Sequence, residues 1–255
     1  GEDFYYTPPA GFKALTTDNL SDPSIADPTA HFSTVLYAGN STTSNVITTG
    51  FQPDLVWLKN RGAAGTDHGL TDSVRGVSKS LFSNTTGAET VGTGTQDMYS
   101  FNSTGFTVGT NQNIECNTSG YNYASWNWKG GGTAASNGDG SITSSVSANP
   151  TAGFSIVKYP GSASDVTVGH GLAQTPELII IKNLDTVVGW PVYVATLGNA
   201  KRLELDDPYQ EQATGHWVST SPTSSVFTVD GGQDAVNASG DDFIAYCFHS
   251  IEGYS

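Results

Sequence analysis

Pro53-Asp54-Leu55-Val56-Trp57-Leu58-Lys59-Asn60 returns as Pro176-Glu177-Leu178-Ile179-Ile180-Ile181-Lys182-Asn183, 123 residues further along the chain. The flanking sequence repeats in the same register. Phe32-Ser33-Thr34-Val35-Leu36-Tyr37-Ala38-Gly39 is answered 122 residues later by Phe154-Ser155-Ile156-Val157-Lys158-Tyr159-Pro160-Gly161. Gly198 follows Gly76 by 122 residues, and Phe227 and Ala245 follow Phe106 and Ala124 by 121. A match held over a whole unit with slips of a residue or two marks a tandem duplication. Leu178-Ile179-Ile180-Ile181 is apolar on both faces, which predicts a central strand covered on both sides.

Helical periodicity is nearly absent, because Gly or Pro interrupts almost every dozen residues and no apolar stripe is sustained over three turns. The expected fold is therefore all-β, with two tandem homologous β-sandwich (jelly-roll-like) domains behind an extended N-terminal arm. Strands are predicted over 32–37, 54–60, 79–82, 98–101, 105–108 and 121–128, and in the second repeat over 153–159, 177–183, 201–205, 216–219, 225–229 and 242–248. Residues 1–30, rich in proline, read as the arm or connector; residues 31–130 and 153–255 read as the two domains. The Gly/Ser-rich stretch 131–152 reads as the linker, with a short strand over 141–146. In the last strand of the first repeat, Ala124, Trp126 and Trp128 share a face, and the sequence spacing matches them to Ala245, Cys247 and His249. The tryptophan pair is read as core rather than as a carbohydrate platform.

Ten Lys and Arg against 24 Asp and Glu give a formal net charge of −14. Nucleic acid and anionic bilayers are poor partners for such a surface, and no apolar run approaches the length of a membrane helix. The two cysteines are not expected to meet, since Cys116 lies in a polar stretch and Cys247 in an apolar strand. The chain opens at Gly1, as a processed protein or a piece of a longer polypeptide would.

No nucleophile elbow, zinc-protease or phosphate-loop motif occurs. His68, Asp72 and Ser73 invite a triad, but the second repeat has Trp190, Val194 and Ala195 at those places, so the chain is read as a non-enzyme. Two loops of the second repeat carry the remaining candidates. Tyr209, Gln212, His216 and Trp217 combine rings with hydrogen-bonding groups, the mixture on which sugar faces stack and hydroxyls bond. Asp230, Asp234, Asp241 and Asp242 flank a glycine-rich tip and could gather a hard cation; calcium is the ion that fits, although nothing else in the sequence calls for a cofactor.

The run Phe4 to Leu20 resembles the end of the concanavalin-like, SPRY-type lectin module of large virion and tail-fibre proteins of tailed phages from aquatic bacteria. The rest resembles the uncharacterised repeated β module downstream of it, through Gly50-Phe51-Gln52-Pro53-Asp54-Leu55-Val56-Trp57, Asp72-Ser73-Val74-Arg75-Gly76, Ala124-Ser125-Trp126-Asn127-Trp128, Val168-Gly169-His170-Gly171-Leu172 and Asn237-Ala238-Ser239-Gly240. The resemblance implies a structural or adhesive virion subunit, such as a tail fibre acting in host attachment, located on the particle or outside the cell. A fibre role carries self-association, with a trimer expected from fibre architecture, and other virion proteins as partners; the resemblance itself implies no ligand, and a host-surface glycan is the further partner to test. The alternatives are a tailspike polysaccharide depolymerase or glycosidase and a secreted carbohydrate-binding module.

Overall fold

In the computed structural model, which describes residues 6, 9–11 and 23–255, the repeated octapeptides form β3 (Leu55–Asn60) and the equivalent strand Leu178–Asn183. Their side chains alternate between two cores. Leu55 and Trp57 point to one side of the sheet and Val56 and Leu58 to the other, as the two-residue period of a strand requires. In the second repeat Ile180 packs on one side, and Ile179 and Ile181 on the other. Coverage on both faces is thus observed.

The first repeat forms β1 (Phe32–Ala38), β2 (Asn45–Thr48), β3, β4 (His68–Asp72), β5 (Lys79–Phe82), β6 (Thr90–Val91), β7 (Met98–Asn102), β8 (Gly105–Val108) and β9 (Asn122–Trp128). After β10 (Ala135–Asn137) and β11 (Ser144–Asn149) come β12 (Phe154–Pro160), β13 (Val166–Gly169), β14 (Leu178–Asn183), β15 (Pro191–Val194), β16 (Lys201–Glu204), β17 (Gln212–Ala213), β18 (Val226–Val229), a four-residue helix α1 (Asp234–Asn237) and β19 (Asp242–Phe248). The fold is nearly all β, and every pairing between these strands is antiparallel.

The sheet order β1-β9-β3-β4-β5-β6 recurs as β12-β19-β14-β15-β16-β17, and the pair β2-β8 recurs as β13-β18. Four layers result. A small sheet, β2-β8-β7, covers one face of the six-stranded sheet over a core of Ile47, Val56, Leu58, Met98 and Phe106. The pair β13-β18 covers the eight-stranded sheet over Val157, Tyr159, Val168, Ile179 and Phe227. Between the two large sheets lies a third core, in which Leu55, Leu70 and Leu81 of the first repeat meet Phe154, Ile156, Ile180, Trp190 and Tyr246 of the second. The repeats therefore share buried apolar surface.

Within 131–152, expected as a linker, β10 and β11 extend the second sheet, and Val146 and Ala148 pack into its core. The alternation of Val146 and Ala148 with polar residues is what lets this segment pair with β12. The expected arm over 1–30 lies largely outside the described residues. Of its described part, Pro28–Ala30 forms a 3-10 turn capped by Asp27, and Ile25 is buried with Ala152 and Ile251.

Two sequence readings change. Residues 216–219 are a turn, since Val218 and Ser219 adopt φ of 49° and 50° in the left-handed region, which no strand accommodates. The match between the last strands also moves by one residue. Trp128 pairs with Phe32 and Leu55, and Phe248 pairs with Phe154 and Leu178. Trp128 thus corresponds to Phe248, Trp126 to Tyr246 and Ala124 to Ile244. A one-residue slip exchanges the faces of a strand, so Ala245 and Cys247 belong to the other core and His249 lies beyond the strand.

One glycine pair shows why the repeat keeps certain residues. A Cβ at Gly39 would strike the carbonyl oxygen of Thr118, and one at Gly161 the carbonyl oxygen of Ala238. The two residues follow the equivalent strands β1 and β12 at a close backbone crossing.

Candidate functional site

One cluster of buried charges lies at the join between the large sheets, apart from Asp97, which accepts the N–H groups of Gln112, Asn113 and Ile114 inside the first repeat. Asp72, at the end of β4, has no solvent exposure; its Oδ1 accepts the backbone N–H groups of Val74 and Arg75 at 3.1 and 2.8 Å. Its Oδ2 accepts Arg75 Nε at 2.5 Å and the Tyr246 hydroxyl, from the second repeat, at 2.8 Å. Arg75 also donates to Leu70 O at 2.9 Å and pairs with Glu89 at 3.2 Å. Burial pulls the guanidinium pKa down, but Asp72, Tyr246 and Glu89 outweigh it and hold the group protonated. Burial, then the Asp72 charge, raises the Tyr246 phenol well above its usual range, so it remains a donor.

Further along the join, Trp190 Nε1 donates to Phe82 O and Thr85 O at 3.1 and 3.0 Å, and the Glu89 N–H donates to Leu184 O at 2.8 Å. Lys182, fully buried, donates to Val188 O at 2.8 Å, Thr86 O at 3.2 Å and Thr186 O at 3.5 Å, and its Nζ lies 6.0 Å from the Trp190 ring centre. Burial lowers its pKa to about 8, with Asp206 opposing.

An open cleft of about 420 Å³ borders the same join. It forms where equivalent rows of the two sheets meet: Phe32 and Trp128 are cross-strand partners in the first, Phe154 and Phe248 in the second. The rings touch in tilted and edge-on pairs, with centroids 5.0 Å apart for Phe32–Trp128 and Phe154–Phe248, and 6.2 and 6.3 Å from Trp128 to Phe154 and Phe248. Such pairs hold the layers together as well as lining the cleft. Polar groups are few. Glu177 accepts the Ser250 hydroxyl and, at 3.0 Å, its N–H, and these bonds hold the carboxyl below its ordinary value. His249 Nδ1–H donates to Thr175 O at 2.8 Å, leaving Nε2 uncommitted. A cleft of this size, mostly apolar with a few placed polar groups, suits a ligand with a CH-rich or aromatic face. Glu177, held ionised, is set up to accept hydrogen bonds and not to act as a general acid.

The structure separates the residues singled out in the sequence. Trp217 is only 2% exposed, packs edge-on against Tyr193 in the core, and donates Nε1–H to Lys201 O at 3.1 Å. It cannot offer a face to a sugar. His216 is buried beside it, and burial followed by the Arg202 charge lowers its pKa to about 4. Gln212 Oε1 is taken by Arg202 at 2.9 Å, and Tyr209, 67% exposed, stands alone. Of the acidic set, Asp230 accepts the Gly232 N–H at 2.7 Å, and Asp241 accepts the Asn183 Nδ2–H and the Thr186 hydroxyl, both at 2.8 Å. Asp242 pairs with Lys158 at 2.8 Å, and Asp234 is exposed on α1. No group of three or more His, Cys, Asp or Glu among the described residues is placed to hold a metal ion.

His68 and Asp72 sit at opposite ends of β4, with Asp72 committed to Arg75 and Tyr246. Cys116 and Cys247 are free, buried and in different cores. Sequence reasoning did not find the cleft. Its signal was present: with the last strands matched one residue differently, Phe32/Trp128 and Phe154/Phe248 emerge as the same aromatic pair used twice.

Neither curated proteins nor solved structures yield a match to the chain. A family model matches residues 27–255, so both repeats and the segment joining them fall within one unit. The chain belongs to that family, described as a domain of unknown function (DUF7483).

Proposed function

We propose that the chain is a non-enzymatic structural and adhesive subunit of a phage virion, a tail fibre or other appendage used in host attachment. It is built from two tandem homologous β-sandwich domains behind an N-terminal arm, and it acts as a homo-oligomer, a trimer in the simplest fibre, alongside other virion proteins. The observation that carries this reading is a cluster of charged side chains buried between the repeats. The side chains of Asp72, Arg75 and Lys182 face the partner repeat across the join rather than a solvent cleft. Enzymes concentrate perturbed ionisable groups at the site of chemistry, whereas a structural subunit gains from a rigid, fully bonded junction. The duplicated sheet order and the shared aromatic rows support the same reading.

The test is immunogold labelling of purified particles with an antibody raised against the chain, together with sedimentation of the purified protein. Decorated appendages and a closed oligomer are expected. Unlabelled particles and a monomer at high concentration would remove the proposal.

A further inference from the structure

One face of the six-stranded sheet is only partly covered by the second repeat. Across it runs a row fixed by register: Thr34 opposite Trp126, Trp126 opposite Trp57, and Trp57 opposite Leu70. The row beside it places Leu36 opposite Ala124, Ala124 opposite Lys59, and Lys59 opposite His68. Leu70 is buried in the shared core, but Trp57 and Trp126 are half-buried, Thr34 is exposed and Leu36 is 64% exposed. A groove of about 360 Å³ lies here, lined by Trp57, His68, Trp126 and Trp128.

The repeat shows what this face does when it is only glue. Tyr246 and Ile180, the counterparts of Trp126 and Trp57, are 1% and 8% exposed, closed off by the first repeat. In the first repeat the same two positions carry the largest rings available and leave them partly exposed. Directly opposed cross-strand residues stand about 5 Å apart, and both indoles line the groove.

We infer that the Trp57–Trp126 surface is a binding site for a neutral glycan, one pyranose face stacking on the indoles. Three observations select that chemistry. The groove lining is apolar, which suits the CH-rich face of a sugar ring. Yet Trp57 Nε1–H is buried with no acceptor in the fold, a donor left unmet in a ring that lines the groove. The His68 imidazole and the Thr34 hydroxyl border the same rings and make no side-chain hydrogen bond among the described residues, so they can serve further hydroxyls. A chain of net charge −14 disfavours an anionic polymer.

A protein partner fits less well, because a stable interface engages roughly 20–30 residues a side. This patch offers about half a dozen side chains, while its volume lies within the range of about 300–1,000 Å³ typical of small-ligand sites. The inference deepens the adhesive reading above by naming what the adhesive surface takes.

The experiment titrates the purified full chain, by tryptophan fluorescence and calorimetry, with malto-, cello-, chito- and manno-hexasaccharides and with polygalacturonate as an acidic comparison. Saturable binding of at least one neutral probe is expected, with weaker or no binding of the acid. Trp126→Ala should weaken binding at least tenfold and Trp126→Phe by less, while Tyr209→Ala leaves it unchanged; the melting temperature of each variant confirms folding. The inference is overturned if no neutral probe binds, if Trp126→Ala binds as well as the parent, or if Trp126→Ala shifts sedimentation without touching sugar binding. That last result would make the face a contact between copies. Labelled particles without glycan binding would sink this inference alone, and glycan binding without labelled particles would sink the virion reading alone.

Discussion

Replacing Lys182 by Met tests the charged junction directly. The ammonium has no solvent exposure and is served by three carbonyl oxygens rather than a carboxylate, and burial lowers its pKa to about 8. In the unfolded chain the same group titrates near 10.4. Between those values the unfolded chain holds a proton that the native protein has released, so native stability rises with pH across the window and is flat below it. Integrated from pH 7 to pH 10, the gain is about 2.5 kcal/mol. Met has similar length and no charge, so its variant loses this slope, whatever the balance of lost hydrogen bonds does to stability at one pH. Urea unfolding followed by tryptophan fluorescence at pH 7, 8, 9 and 10 measures both proteins. The parent-minus-variant difference should climb by about 2 kcal/mol or more over that range, because tyrosine titration is common to both and cancels. A difference that stays within about 0.5 kcal/mol would refute the reasoning, since it would mean that Lys182 keeps its water or a compensating anion in the native protein.

Tyr246→Phe removes one donor from Asp72 but leaves Arg75 and two backbone N–H groups in place. Urea midpoints should report a loss of about 2 kcal/mol, the scale of a buried hydrogen bond to a charge, and a neutral outcome would show that the hydroxyl does not tie the repeats together. His216 is kept neutral in the fold by burial, with a pKa of about 4, so the unfolded chain binds the extra proton between pH 4 and 6.5. Its contribution is therefore complete above pH 6.5 and fades on acidification; the parent should lose about 2 kcal/mol more than His216→Gln between pH 7 and pH 4.5, and parallel acid titrations would count against it.

The fold was legible where short runs rich in apolar, β-branched and aromatic residues are bounded by turn residues. Phe32–Ala38, Lys79–Phe82, Gly105–Val108 and Asp242–Phe248 lie within two residues of the predicted strands for that reason. His68-Gly69-Leu70-Thr71-Asp72 was not, and it is central to the six-stranded sheet. Its pattern is set by neighbours that sequence does not show. Gly69 is there because a Cβ would lie 2.7 Å from Ile114 Cδ1, and Asp72 because Arg75 and Tyr246 neutralise it. Glycine and a buried carboxylate both read as loop until those partners are known. The shared core was hidden for a related reason: Leu55, Leu70 and Leu81 look like ordinary half-buried strand residues, and only the packing of the sheets reveals that their partners lie more than 70 residues away.

The candidate surfaces were lost through a single residue of register. Matching Trp126 to Cys247 made the tryptophans seem a bulk that the second repeat had discarded, and core seemed their natural place. The pairing of Trp128 and Phe248 with equivalent partners reverses this: the second repeat keeps an aromatic at both positions, Tyr246 and Phe248. The informative difference then moves from size to exposure. Tyr246 is sealed in the join and donates to Asp72, while Trp126 has no such partner and stays half-open. Two copies of one sheet have thus divided a single face between them, one side sealed to bond the layers and the other left with its rings partly uncovered. A tryptophan ring left partly exposed forgoes burial worth roughly 1–2 kcal/mol, and a contact made outside the chain is the physical return that would offset it.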